Sequence, residues 1–157
     1  MLLALLLVGC PAPTDKSDDP DTAETADPGT LAGPNGPSRI EPDCAPDDGA
    51  AVRLIVGLEE ATCDSAFAGV PHLRLSLWVG AEFPLAPGTY PFDEGSGSAW
   101  YAQAGGGVEQ HARSGEVTVT GSAGGVVTGS YTLQLDGGEV VAGEFEAAEC
   151  EVAVMCG

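Results

Sequence analysis

The side chains with chemical potential in this chain are few, and their spacing excludes more than it offers. There are only two histidines, His72 and His111. A histidine base needs a partnered nucleophile in hydrogen-bond reach, which sequence does not show for either, and a surface or loop histidine is the commoner case. Gly95-Ser96-Gly97-Ser98 lacks the G-x-S-x-G order and the following helix of a nucleophile elbow. H-E-x-x-H and the P-loop are absent, and Gly105-Gly106-Gly107 stands alone in a chain that reads as all strand. Paired carboxylates hydrolyse glycosides and oxygen-rich clusters hold Ca²⁺. Glu144 and Glu146 share one face of a strand, with Glu116 and Asp136 as candidate neighbours, but outward acids on a sheet are ordinarily solvated. The better candidates are side chains that recognise. His72, Arg74 and Trp78 alternate on one strand face, and Trp100-Tyr101 form a second aromatic site near a loop. Exposed aromatics of this kind stack on sugars or anchor protein partners. The sequence therefore predicts no catalytic residues, no metal site and no cofactor. It assigns His72, Arg74, Trp78, Trp100 and Tyr101 to a ligand surface.

Cysteine chemistry divides in two. Cys10 follows the apolar run Leu2–Val8 and the small residue Gly9. As a helix, Met1–Val8 would rise only about 12 Å, far below the roughly 30 Å hydrocarbon core, so it cannot span a bilayer. Leu7-Val8-Gly9-Cys10 resembles a bacterial lipobox at the end of a short signal peptide, although the segment carries no Lys or Arg. The resemblance implies cleavage before Cys10, acylation of its thiol, and a membrane anchor made stable by more than one acyl chain. Pro11, in place of Asp after the acylated cysteine, implies sorting to the outer membrane. The other four cysteines, Cys44, Cys63, Cys150 and Cys156, include no C-x₂-C pair and have no nearby histidine. In an exported chain an even number reads as two disulfides, with three connectivities open.

Charge limits the partners. The 157 residues carry a net charge of −19, with Lys16, Arg39, Arg53, Arg74 and Arg113 as the only cations. No clustered basic run exists to neutralise phosphates, which excludes nucleic acid. High negative charge favours solubility and repels like-charged surfaces.

Three segments must position these groups. Residues 1–9 read as the signal peptide. Residues 10–43 read as the lipidated cysteine and a disordered acidic tether, since Thr14–Asp27 sets six acids against Lys16 and offers almost no apolar surface. A flexible tether of that length has an r.m.s. span of about 30 Å. Residues 44–157 read as the folded domain. There Val52–Glu59 and His72–Val79 alternate with period two, as half-buried strands do. Pro87-Gly88-Thr89-Tyr90-Pro91 is a turn into a short strand, and Ser98–Ala102 and Gly115–Thr120 add two more. Val126–Leu135 and Val140–Ala147 flank Asp136-Gly137-Gly138-Glu139, a hairpin signal. They also repeat a pattern: Val126-Val127-x-Gly129-x-Tyr131-x-Leu133 against Val140-Val141-x-Gly143-x-Phe145-x-Ala147. Gly129 and Gly143 fall on the inward face, where they predict bulges or close backbone approach. Six to eight such strands must close on themselves or pack in two layers. The expected fold is a small antiparallel, meander-rich sandwich or barrel.

Taken together, the lipobox, the Asp/Thr/Pro tether, Pro87–Tyr90 and the Val117–Cys150 strand pattern resemble bacterial lipoproteins of unassigned activity, of the kind abundant in myxobacteria. The resemblance implies an envelope location and carries over no catalytic residues. The expected function is a non-enzymatic structural or interaction domain, held at the membrane through acylated Cys10 and meeting an envelope protein or a small ligand. The alternative is a β-domain that binds a lipid, a carbohydrate or Ca²⁺.

Overall fold

The computed structural model describes residues 29–69, 71–78, 80–105 and 108–157. The expected signal peptide, Cys10 and the expected tether up to residue 28 lie outside the described residues. All regular structure within them is β.

Nine strands form one sheet: β1 (Thr30–Ala32), β2 (Ser38–Cys44), β3 (Ala50–Val56), β4 (His72–Leu77), β5 (Gly88–Asp93), β6 (Gly97–Ala102), β7 (Gln110–Ala123), β8 (Val126–Leu135) and β9 (Val140–Glu149). Seven of them close into a barrel in the order β2-β3-β4-β6-β7-β8-β9 and back to β2. All its pairings are antiparallel except the closure, where Ser38–Ile40 runs parallel to Ala147–Glu149. β1 lies on the same edge of β9 further back, with Thr30 opposite Val140. β5 takes the middle of β7, Ser114–Val119, beyond the stretch that pairs with β6. Closure removes most free sheet edge, the usual hazard of an all-β chain.

The boundary expected at Cys44 moves back. Ser38–Asp43, read as tether, forms β2 together with Cys44, and the strand pairs with β3 over its whole length and completes the barrel. Its inward residue Ile40 is fully buried, while Arg39, Glu41 and Asp43 face outward into ion pairs. Its charge therefore suits a strand with one wet face. β7 also begins earlier than its alternation signalled, at Gln110, because register shifts at Ala112/Ser114 and Val119/Gly121 break the period and bend the strand around the barrel.

The interior is filled. Val52, Leu54 and Val56, then Leu73, Leu75 and Leu77, meet Val117, Val119, Leu133, Tyr131 and Phe145 in one core. Gly129 faces Phe145 and Tyr131 faces Gly143 across the β8–β9 pair. Each strand of the repeat thus lays its aromatic ring over the glycine of the other, which is the close approach the inward glycines foretell. Tyr131 also donates a 2.6 Å hydrogen bond to Pro34 O, tying the β1–β2 connection down. Burial pushes its phenol pKa well above the ordinary value.

Two disulfides complete the domain: Cys44–Cys156 and Cys63–Cys150. The first fixes the exposed C-terminal strap, residues 151–157, to the end of β2. The second fixes the β3–β4 connection to the end of β9.

Candidate functional site

The side chains that face away from the core on β2, β3, β4, β6 and β7 fall into register. Arg39 stands opposite Ile55, Ile55 opposite Arg74, Arg74 opposite Trp100, and Trp100 opposite His111. This is one continuous cross-strand row, spanning about 19 Å at ~4.8 Å per strand. A second row beside it runs Glu41, Arg53, Ser76, Ser98. Directly opposed side chains on a sheet face touch, so the two rows make one surface out of residues far apart in sequence.

Hydrogen bonds set that surface. Arg39 Nε donates to Glu41 Oε2 at 2.9 Å and its Nη1 to Ser65 O at 2.7 Å. Arg53 pairs with Asp43 and, at 3.6 Å, with Glu41. Ser76 Oγ donates to Asp43 Oδ2 at 2.8 Å. Arg74 Nη2 donates to Glu109 Oε2 at 2.7 Å, and His72 Nε2 lies 3.1 Å from the other oxygen of the same carboxylate. The bond from His72, followed by the Arg74 guanidinium, holds the Glu109 carboxyl below the ordinary carboxylate range. The β3–β4 connection folds over one side: Phe67 stacks on His72 at 4.1 Å, and Ile55, although it faces outward, is only 4% exposed. Between Phe67 and Trp100 lies a groove of about 410 Å³, floored by Ile55 and edged by Arg39, Arg53, Arg74 and the two serines.

His72, Arg74 and Trp100 thus come together, as the ligand-surface reading requires. Trp100 is 42% exposed and packs on His111 with its ring tilted by 60° and the centroids 4.9 Å apart. The other two assigned residues do not join them. Tyr101 is corrected to a core residue: it is 2% exposed, because it shares the inward face of β6 with Gly97 and Ala99. Trp78 stands past the end of β4, its backbone N–H bonded to Ser96 O at 2.8 Å. It is half-buried and lines a separate cleft with Ala50, Glu82, Pro84 and Tyr90. Sequence reasoning missed Arg39, Arg53, Phe67 and Glu109. Arg39-Ile40-Glu41-Pro42-Asp43 does carry the alternation of a strand, with acids and a base on one face, but within an acidic stretch that signal reads as tether.

The remaining candidates are dispersed. Neither histidine touches a hydroxyl or thiol: His72 bonds Gly69 O and Glu109, and His111 Nδ1 lies 3.7 Å from Asp136. Glu144, Glu146 and Glu116 stand opposite Ser130, Thr128 and Thr132, and Asp136 binds Arg113 at 2.8 Å. Among the described residues no group of three or more His, Cys, Asp or Glu is placed to hold a metal ion. Compared with family models, curated proteins and solved structures, the chain matches none.

Proposed function

We propose that this chain is a cell-envelope lipoprotein whose barrel is a non-enzymatic binding domain, held at the membrane through acylated Cys10. Binding takes place on the outer face of β2, β3, β4, β6 and β7. The observation that carries the reading is a contrast between inside and outside. The interior is packed with Tyr101, Tyr131, Phe92 and Phe145, which counts against a lipid or other ligand held within the barrel. The outer groove, by contrast, collects Arg39, Arg53 and Arg74, three of only five cations in a chain of net charge −19, each held in place by an ion pair.

Location rests on the sequence. Leu7-Val8-Gly9-Cys10 supports acylation in the manner of the bacterial lipoproteins the chain resembles, and Pro11 supports the outer membrane. The two disulfides suit an oxidising compartment. The acidic residues that precede β1 would act as a spacer between lipid and barrel.

The test is the mass of the mature N-terminus after expression in a bacterium with an intact lipoprotein pathway. The expected result is a first residue Cys10 carrying diacylglyceryl, with the protein in the membrane fraction. Cys10→Ser should leave it unacylated and outside that fraction. An unmodified Cys10 thiol in the membrane-bound protein would remove the anchor from this account.

A further inference from the structure

Resting on that binding face, we infer that the groove between Phe67 and Trp100 is a site for an uncharged saccharide. Arg39, Arg53 and Arg74 are matched by Glu41, Asp43 and Glu109, each in contact with a guanidinium. The groove is therefore locally neutral on a strongly acidic molecule. An anionic ligand meets no surplus of positive charge there, and the field of the whole chain repels it. A cation finds the carboxylates already occupied.

What the groove offers is fixed donors and fixed acceptors side by side. Arg74 gives Nη2 to Glu109, so its Nε and Nη1 keep their hydrogens for a ligand. The Ser76 and Ser98 hydroxyls, which also line the groove, can accept as well as donate. Ser98 stands beside Ser76, which is itself oriented by Asp43. Sugar hydroxyls donate and accept at once, and planar side chains locked by one another meet them without losing rotamer freedom. Apolar contact is available too. Trp100 presents an exposed ring above the buried Ile55. The C–H face of a pyranose packs on such a ring while its hydroxyls reach the guanidinium and serine groups.

Size favours a small ligand over a protein. About 410 Å³ lies within the usual range for small-molecule sites, roughly 300–1,000 Å³. A stable protein interface buries about 800 Å² per partner around apolar anchors. Here Trp100 is the one large exposed apolar side chain in the groove; of the others among the described residues, Val152, Val154 and Met155 lie on the C-terminal strap and Val108 before β7.

The full chain in detergent, applied to an array of hexose and N-acetylhexosamine oligosaccharides beside uronate- and phosphate-bearing glycans, tests the assignment. The expected result is binding to a subset of neutral glycans that survives high salt. Affinity for those glycans, followed by titration calorimetry, should fall about tenfold in Trp100→Ala, equivalent to ~1.4 kcal/mol. It should be largely restored in Trp100→Phe, and Trp78→Phe should leave it unchanged. Binding to acidic glycans alone, binding to none, or unchanged affinity in Trp100→Ala would overturn the inference. If sugars fail while a protein cross-links at Ser98, the binding face stands and its saccharide assignment falls. If both fail, the binding face falls with it.

Discussion

Reduction of the two disulfides is expected to remove about half of the stability of this barrel. Cys44–Cys156 and Cys63–Cys150 close separations of 112 and 87 residues. Loop closure of that length is worth at most about 4–5 kcal/mol per bridge, and ~2–4 is typical. The loops are nested, since the first encloses the second, so their contributions are less than additive. Together about 4–7 kcal/mol is expected, against roughly 5–15 for a whole domain. The bridges are not equivalent. Cys150 is fully buried, whereas Cys156 is exposed. Cys63→Ala/Cys150→Ala should therefore cost more than Cys44→Ala/Cys156→Ala, because it adds a cavity at the end of β9 and frees the connection that covers Ile55. Denaturant unfolding of the oxidised, reduced and doubly substituted proteins checks this. A reduced protein within about 1 kcal/mol of the oxidised one would contradict it.

The second large effect concerns the paired glycines of β8 and β9. A Cβ added at Gly143 would stand 2.7 Å from Tyr131 Cζ, and its nearest neighbours are all atoms of that one ring. A Cβ at Gly129 would stand 2.7 Å from Phe145 Cζ but would also strike the backbone oxygen of Thr118. Either alanine overpacks the core, at about 1–3 kcal/mol. The two differ in what relieves them. Tyr131→Leu removes the three atoms nearest that Cβ, the Tyr131 hydroxyl oxygen, Cζ and Cε1, so Gly143→Ala should cost under ~0.5 kcal/mol in that background, at the limit of additivity. Phe145→Leu leaves the Thr118 oxygen in place, so Gly129→Ala should remain costly there. Double-mutant cycles at the two sites, read by thermal unfolding, should thus show strong coupling at 131/143 and weak coupling at 129/145. Equal coupling at both would show that the glycines do not serve as seats for the rings.

Those glycines also show how much of the fold is written locally. The β8–β9 hairpin is legible because alternation, the Asp136-Gly137-Gly138 turn and the repeated Gly-x-aromatic pattern all agree, and β8 keeps its expected bounds. β2 is not, because a strand with Ile40 as its one large inward residue owes its place to β3 and to parallel pairing with Ala147–Glu149. No local signal reports a partner about a hundred residues away. Trp100 and Tyr101 illustrate the same limit. Adjacent aromatics on a strand must face opposite sides, but which one enters the core depends on the register of β6 against β4 and β7. The disulfide pairing and the Arg39–His111 row share that origin. Each residue type is plain in the sequence, and the juxtaposition exists only after the barrel closes.

The central claim is that this protein acts through the outer face around Trp100. It is tested most directly by placing a photoreactive side chain at single positions of the full chain in the membrane. Ser98 lies in the groove, whereas Thr120 and Thr89 are outward positions on β7 and β5, away from it. Irradiation should give a discrete adduct at Ser98, lost in Trp100→Ala, and none at the two threonines. Equal labelling at all three positions, or a discrete adduct at Thr89 or Thr120 with none at Ser98, would contradict the account.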